Sequence, residues 1–477
     1  MKLTFNVRRR VGVVATALLV PLVGVPVASV PGASADEAAP LTVEQARTKI
    51  LGPGWNDPNT VRVRSIGNTT QLFSFGGTVL LSDSTIEDQL TDTGANRNTN
   101  GYVSLEDVIA AKPVAILQNH IHFDQNHNAV ALAVDGGIPL VTDLGGCLFT
   151  KVTAIKLGKN PAKLKCNLLR DAKGKPFFTG DSWAGGLPYL GQGLDLGLED
   201  LLGPVLGSLP LNLLGQDIDL TAFLRFNDFG DNAWPETPIP GLKEIRAVQV
   251  KHTPSFIGRP LYPESLSGAQ LSIDQNIKDI LEDYAGNPTA IAQSIYEQYA
   301  PFDLEGSNVA WVLRYKDFSI VQHGSTGATN NLEPGAKEIR EALEKIGDTD
   351  RVDLEIGGVA EMTFFTDANY FADNKGYSKA IGAKRFMPTH HYNWYPLWLT
   401  NPASKYWPGL SKTFADGKAE AGEAFPDLCF LTEDNYATLW DVKVNTWAGN
   451  AKGVMQPMTG PGCYTGGPVE FYENKSS

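Results

Sequence analysis

Residues 119–127 read Asn-His-Ile-His-Phe-Asp-Gln-Asn-His and follow directly on an apolar segment, residues 113–117. Side chains two positions apart at a strand end point the same way, so His120 and His122 can converge on one ion while Ile121 turns into the core. Imidazole and carboxylate ligands suit zinc and similar divalent metals, whereas a closed structural site is expected to use thiolates. The stretch therefore predicts a catalytic metal site.

The other histidines support this interpretation. The 477-residue chain has seven histidines, and the four outside this stretch each lie at the end of an apolar, strand-like segment. These four are His252, His323, His390 and His391. Ordinary polar loop residues would not be confined in this way, so the pattern favours several strand ends that deliver imidazoles to one site.

The first 35 residues have the composition of a secretory signal peptide. Basic residues precede an apolar run from Val11 to about Val27, and Ala33-Ser34-Ala35 precedes the first acidic residue. We predict cleavage after about Ala35 and a secreted protein; a membrane anchor is the alternative. Cleavage removes Lys2, Arg8, Arg9 and Arg10 but no acidic residue, so the net charge changes from -13 to -17.

This acidic composition and the hydropathy pattern exclude two classes of partner. A strongly acidic chain is an unsuitable partner for nucleic acid. No apolar run after the signal peptide is long enough to span a bilayer, so no membrane span is expected. A small-molecule or lipid-like substrate remains as the expected partner.

Four cysteines in an exported chain predict disulfides, and three connectivities are possible. The pairs that are close in sequence, Cys147 with Cys166 and Cys429 with Cys463, are favoured. Thiolate metal ligands are disfavoured because no cysteine lies in a Cys-x-x-Cys pattern.

Strand and helix patterns alternate along the chain, which is typical of a layered α/β domain. We predict one domain over residues 36–477, with insertions at about 179–240 and 255–306 and a C-terminal extension from about residue 400. The first insertion is rich in Gly and Leu and forms either an irregular surface segment or an apolar wall beside the substrate. Predicted strands are 70–75, 78–81, 114–117, 138–141, 244–250, 309–315, 318–321, 352–356 and 384–387, and predicted helices are 41–50, 105–111, 128–134, 274–284, 289–299 and 334–346.

The order of a hairpin, His-x-His-x-Asp and later strand ends with histidine resembles the metallo-beta-lactamase fold superfamily of metal-dependent hydrolases over residues 61–392. Met387-Pro388-Thr389-His390 and the Asp-Leu-Glu-Ile-Gly-Gly segment at 353–358 are most similar to the branch with the ascorbate-phosphate lactonase and the N-acyl-phosphatidylethanolamine phospholipase D. The resemblance implies a four-layer αββα sandwich, here with two insertions, and metals at one edge between the sheets.

The resemblance also implies a ligand set. It places His120, His122 and His252 on a first divalent metal, with zinc expected. It places Asp124 and His390 on a second metal, and Asp83 beside the site, where it orients a ligand or the attacking water.

Two positions depart from the family pattern. The family has histidine immediately after the aspartate, where this chain has Gln125, with His127 two residues later. At the place of the metal-bridging aspartate this chain has His323. Either the second site is rebuilt from Asp124, His127, His323 and His390, which we favour because of the extra histidines, or the enzyme works with one metal.

The predicted chemistry is hydrolysis by a metal-activated water, with Asp124 and His323 as catalytic residues. Asp124 would orient the water or accept its proton. Gln125 and His391 would orient ligands or contact substrate, and His391 as a packed polar side chain is an equal alternative. A serine hydrolase is disfavoured because the chain has no Gly-x-Ser-x-Gly elbow.

Aromatic residues cluster after the last histidines, at positions 392, 394, 395, 398, 406 and 407. Together with the acidic charge they favour a lipophilic or ring-containing ester, lactone or amide. The alternatives are a phosphodiesterase or phospholipase D-type hydrolase, and a secreted metal-binding protein without catalytic activity.

Overall fold

The structure is a computed structural model that describes most of residues 40–429 and two short strands beyond them. The described residues are 40–66, 69–86, 103–121, 123–176, 211–213, 216–218, 232–250, 308–325, 336–349, 352–359, 370–390, 402–429, 437–441 and 446–447. Residues Leu41–Ser477 group into one compact unit. The predicted signal peptide and the second insertion, 255–306, lie outside the described residues.

Seven α-helices are present in the described part of the chain. They are α1 (Val43–Leu51), α2 (Leu105–Ala111), α3 (Phe123–Asn126), α4 (Leu144–Lys156), α5 (Ala336–Thr349), α6 (Tyr370–Ile381) and α7 (Pro402–Ala421). A π-helical turn spans Ala131–Asp135, and short 3-10 helices span Pro161–Lys163 and Gly422–Ala424. None of the described helices is long and apolar enough to cross a membrane.

Two β-sheets, joined through one strand pair, carry the fold. The strands are β1 (Thr60–Ser65), β2 (Gln71–Phe75), β3 (Thr78–Ser82), β4 (Ile116–Leu117), β5 (Leu140–Thr142), β6 (Cys166–Arg170), β7 (Leu211–Leu213), β8 (Gln216–Ile218), β9 (Asn232–Pro235), β10 (Glu244–Gln249), β11 (Val309–Tyr315), β12 (Phe318–His323), β13 (Leu354–Gly358), β14 (Arg385–Thr389), β15 (Asp427–Leu428), β16 (Ala437–Asp441) and β17 (Thr446–Trp447). Strands β6-β5-β4-β3-β2-β1-β16-β17 form the first sheet and β9 to β15 the second, in sequence order, while β7 and β8 pair separately. The β6–β9 pair is antiparallel and links the two sheets.

Three apolar layers show that these sheets form a sandwich. The central layer joins both sheets, with Phe73 and Leu80 from the first and Trp311 and Ile320 from the second. The other face of the first sheet packs against α1, α2 and α4. The other face of the second sheet packs against α5 and α6. The predicted four-layer αββα architecture is therefore confirmed.

Local sequence signals explain how the first hairpin forms. Gly76 and Gly77 join β2 to β3 with φ values of 57° and 101°, a region that glycine adopts without strain. A Cβ atom on Gly76 would lie 1.9 Å from the hydroxyl of Tyr315, which donates a hydrogen bond to the Pro58 carbonyl at 2.7 Å. The hairpin turn thus also brings the first sheet close to β11 of the second.

Several elements escaped the sequence analysis. Helices α4, α6 and α7 were not predicted, and β9 lies in the sheet although it falls within the predicted first insertion. In α4, Gly145 and Gly146 lower the helix propensity, and the Asp143 carboxylate stabilises the start of the helix by accepting a hydrogen bond from the Gly146 N–H at 2.7 Å. The residues predicted as a helix at 128–134 continue into the π-helical turn.

One predicted disulfide is confirmed. Cys147 in α4 bonds to Cys166 at the start of β6, with their Cα atoms 5.9 Å apart. Cys429 is also disulfide-bonded. Its predicted partner, Cys463, lies outside the described residues.

Candidate metal centre

Four strand ends from the two sheets meet at one edge of the sandwich. Asp83 follows β3 and His120 follows β4 in the first sheet, while Gly324 follows β12 and His390 follows β14 in the second. Several hydrogen bonds join the sheets here. Ser82 Oγ donates to Gln322 Oε1 at 2.5 Å, and Gln71 Nε2 donates to Thr389 Oγ1 at 3.0 Å.

Asp83 is the most strongly constrained carboxylate at this edge. It is fully buried and has a left-handed backbone, with a φ of 55°. Its two oxygens accept hydrogen bonds of 2.8 Å from the Asn119 backbone N–H and from Asn119 Nδ2. Burial raises the pKa of Asp83 to about 7, while hydrogen bonds from Thr69 and Asn119 and the charge of His390 oppose that rise. The role predicted for Asp83, to orient a metal ligand or the attacking water, stays a prediction.

His120 follows Asn119 directly and is fully buried. Its imidazole has the donor chemistry expected for zinc or a similar divalent ion. His122 and His252, the other residues predicted to hold the first ion, lie outside the described residues, as does His391. Asp124 is described by its backbone alone, in α3. The described residues include no three His, Cys, Asp or Glu side chains grouped so that they could hold a metal.

Gln125 and His390 contact each other at the place predicted for the second ion. Gln125 Nε2 lies 3.2 Å from His390 Nε2, and His390 Nδ1 lies 3.1 Å from the Gly324 carbonyl oxygen. One tautomer satisfies both contacts: His390 Nδ1–H donates to Gly324, and His390 Nε2 accepts from the Gln125 amide. The ring nitrogen that would face a metal is therefore already hydrogen-bonded to the side chain beside it.

His323 belongs to a different layer of the molecule. Along β12, Ile320 lies in the central layer and Val321 in the layer under the helices. Because side chains alternate along a strand, His323 points to the same side as Val321. Its ring lies 5.0 Å from that of Tyr377 in α6, and its Nε2–H donates to Glu355 Oε1 at 3.0 Å.

A glycine in the neighbouring strand leaves space for the His323 ring in this orientation. A Cβ atom on Gly357 of β13 would lie 2.7 Å from His323 Cε1, so a larger residue there would displace the ring. Both His323 and Glu355 are fully buried. The structure therefore brings His323 to a carboxylate behind the second sheet. At this end of β12, the residue that faces the first sheet is Gln322.

His127 lies in the turn after α3 and is partly buried. Its backbone N–H is 3.4 Å from Thr85 Oγ1. Burial lowers the pKa of its imidazole to about 4, which favours the neutral ring at physiological pH.

Three polar residues at these strand ends were missed by the sequence analysis as functional candidates: Asn119, Gln322 and Glu355. Each of them is fully buried. The available signal was a polar residue inside or just after an apolar strand, as in Leu354-Glu355-Ile356, because such a residue needs a partner when both faces of the sheet are covered.

Comparison with known proteins finds similarity at the level of structure. A metallo hydrolase from the hyperthermophilic archaeon Ignicoccus hospitalis is 12% identical, with 80% of this chain and 98% of that chain covered and a TM-score of 0.37. The metallo-beta-lactamase fold protein YhfI from Bacillus subtilis is 11% identical, with 80% and 99% covered and a TM-score of 0.33. CmlA, a diiron beta-hydroxylase from Streptomyces venezuelae, is 9% identical, with 77% and 52% covered and a TM-score of 0.35.

No family model matches the chain, and no curated protein matches it. The similar structures include a protein that is described as having the metallo-beta-lactamase fold.

Proposed function

We propose that this protein is a secreted, zinc-dependent hydrolase that uses a metal-activated water on an ester, lactone or amide. The observation that supports the proposal is the interaction of the buried side chains Asp83 and His390 at one edge between the sheets, although they lie far apart in sequence. His120 directly follows Asn119, which holds the Asp83 carboxylate. Fully or nearly fully buried titratable side chains that converge from separate strands are typical of functional sites. The lactonase and phospholipase D-like branch remains the proposed closer relationship.

The proposed ion is held by His120, His122 and His252. When bound, a divalent ion would supply hydroxide at neutral pH, because it lowers the pKa of a water ligand to about 7, and it would polarise the substrate carbonyl. A histidine-only donor set leaves a position open for water and suits zinc.

The protein's own groups orient the centre. Asn119 holds both carboxylate oxygens of Asp83, and this clamp fixes the backbone immediately before His120. Asp124, at the start of α3, is the proposed acceptor for the proton of the attacking water.

The proposed substrate is lipophilic or contains a ring. The acidic net charge of -13 for the whole chain disfavours highly charged anions. The aromatic residues that follow His391 would line the pocket. The proposed export is supported by the Cys147–Cys166 disulfide, since disulfides persist in oxidising compartments.

A substrate panel tests this function. Purified protein would be assayed on neutral acyl esters, lactones, amides and a bis-phosphodiester, each with and without a chelator. We expect hydrolysis of a neutral carbonyl substrate that the chelator abolishes and added zinc restores. Preference for the bis-phosphodiester would replace the proposal by a phosphodiesterase, and metal binding without turnover on any substrate would replace it by a metal-binding protein.

A further inference from the structure

His390, which the resemblance assigns to a second metal ion, already makes hydrogen-bond contacts within the protein. Gln125, which stands where the resembled family has a histidine, lies 3.2 Å from His390 Nε2. An ion bound to that nitrogen would have to displace the Gln125 amide. The amide carries no charge, and the nitrogen that contacts His390 donates rather than accepts, so this nitrogen does not act as a metal ligand.

His323 cannot compensate for this loss from where it lies. A ligand of an ion between the sheets must point into the central layer, as Gln322 does when it accepts the 2.5 Å hydrogen bond from Ser82 across the sheets. His323 is the next residue along the strand and points to the opposite face, towards Tyr377 and Glu355. To reach the space between the sheets, the His323 ring would have to cross from one face of β12 to the other.

From these two features we infer that the centre holds a single metal ion, with the Gln125–His390 contact in place of the second. The buried edge then gains rigidity from the hydrogen-bond chain that runs from Gln125 through His390 to the Gly324 carbonyl, instead of from a second cation. The inference rests on the metal centre proposed above, and it replaces the rebuilt two-metal site that the extra histidines had suggested.

A single ion also narrows the substrate class. Two-metal sites hold the attacking and leaving oxygens of an in-line phosphoryl transfer with ions about 3.5–4 Å apart. One ion suffices to polarise a carbonyl and to supply hydroxide, so the Gln125–His390 contact favours carboxylic esters, lactones or amides over phosphodiesters.

Metal counting tests the inference. Full-length mature protein would be saturated with Zn²⁺, freed of loosely bound metal on a desalting column and measured by mass spectrometry of the elements. We expect one zinc per chain. Two per chain would overturn the single-ion inference while the proposed hydrolase stands, and none would overturn both.

Two variants identify which position the ion occupies. His390→Gln and His323→Gln should each retain one zinc per chain, with the dissociation constant changed less than about tenfold, because neither ring is a ligand. Loss of the ion from a variant with a wild-type circular dichroism spectrum would overturn the inference. If a variant does not fold, the wild-type zinc count still decides.

Discussion

His390 and His323 lie at the ends of β14 and β12, which are separated only by β13, yet they belong to different parts of the molecule. The His390 ring contacts Gln125 at the edge between the sheets. The His323 ring contacts Glu355 and Tyr377 behind the second sheet. Both residues follow apolar strand segments, so what separates them is the direction in which the strand points each side chain.

A histidine at a strand end therefore does not always point towards the candidate site. In a sheet covered on both faces, apolar residues fill both sides of the strand, and the alternation that would reveal direction disappears from the sequence. Strand β12 is buried along its whole length, which is why its sequence gives no such signal. Variants at the edge between the sheets and at the buried His323–Glu355 pair behind the second sheet should therefore differ in their effects.

The largest effect should follow from His122→Ala at the edge between the sheets. Loss of one of three proposed ligands should abolish bound zinc and metal-dependent turnover together, while the protein remains folded and secreted. Zinc content, turnover and circular dichroism would be measured side by side, with His323→Gln as the matched histidine variant. Hydrolysis at the wild-type rate in His122→Ala would refute the metal assignment.

Behind the second sheet, Glu355→Ala should destabilise the fold without releasing zinc. The variant leaves the His323 Nε2–H buried without its acceptor, which costs about 3 kcal/mol of unfolding free energy. Glu355→Gln keeps an acceptor oxygen and should cost clearly less. Chemical denaturation with zinc analysis would measure both, and a loss of zinc from Glu355→Ala in folded protein would assign His323 to the metal centre.

Asn119→Ala should weaken zinc binding about 10–100-fold, because groups that orient a metal site typically contribute this much to affinity. It removes the 2.8 Å hydrogen bond from Asn119 Nδ2 to Asp83 while the backbone hydrogen bond remains. Gln118→Ala is the matched control, since Gln118 is equally buried and its side-chain amide makes no hydrogen bond within the described structure. Zinc affinities would be measured in competition with a chelator. Equal affinities of the two variants would refute the proposal that Asp83, held by Asn119, orients the metal centre.

The smallest expected effect is a change in how the stability of the metal-free protein depends on pH. The folded-state pKa of Asp83 is about 7 against an ordinary 3.8, so its contribution to stability is present at low pH and is lost as the pH rises towards 7. The pKa of His127 is about 4 against 6.5, so its contribution is present above pH 6.5 and is lost as the pH falls to 4.

The two contributions oppose each other between pH 4 and 6.5. Relative to wild type, Asp83→Asn should therefore make the unfolding free energy rise more steeply with pH, and His127→Asn should make it rise less or fall. Each slope should change by at most about 1.4 kcal/mol per pH unit. Denaturation of metal-free protein at several pH values would measure the slopes, and changes of the opposite sign would contradict these environments.

Sequence patterns sufficed for most strands of the sandwich and for the edge at which the site lies. Turn glycines marked the β2–β3 hairpin, and apolar strand segments marked β10 to β12, because these signals are local. Helix α6 was missed because its sequence, Tyr-Phe-Ala-Asp-Asn-Lys-Gly-Tyr-Ser-Lys-Ala-Ile, includes a glycine and three residues that favour turns, namely Asp, Asn and Ser. Its buried face depends on packing against the second sheet.

The composition of the site was predictable, but its connections were not. His120 and Asp83 each follow a strand of the first sheet, and their roles at a metal ion stay predictions. That Gln125 contacts His390, 265 positions away, depends on how the two sheets stack. Long-range stacking leaves no periodic signal in either segment, so this contact is visible only in the three-dimensional structure.

Anomalous diffraction at the zinc edge, from crystals grown with zinc, tests the central claim most directly. We expect one strong anomalous peak per chain, between the sheets and within bonding distance of His120, with Gln125 and His390 still in contact. A peak bonded to His390 Nε2, with the Gln125 side chain displaced, would contradict it.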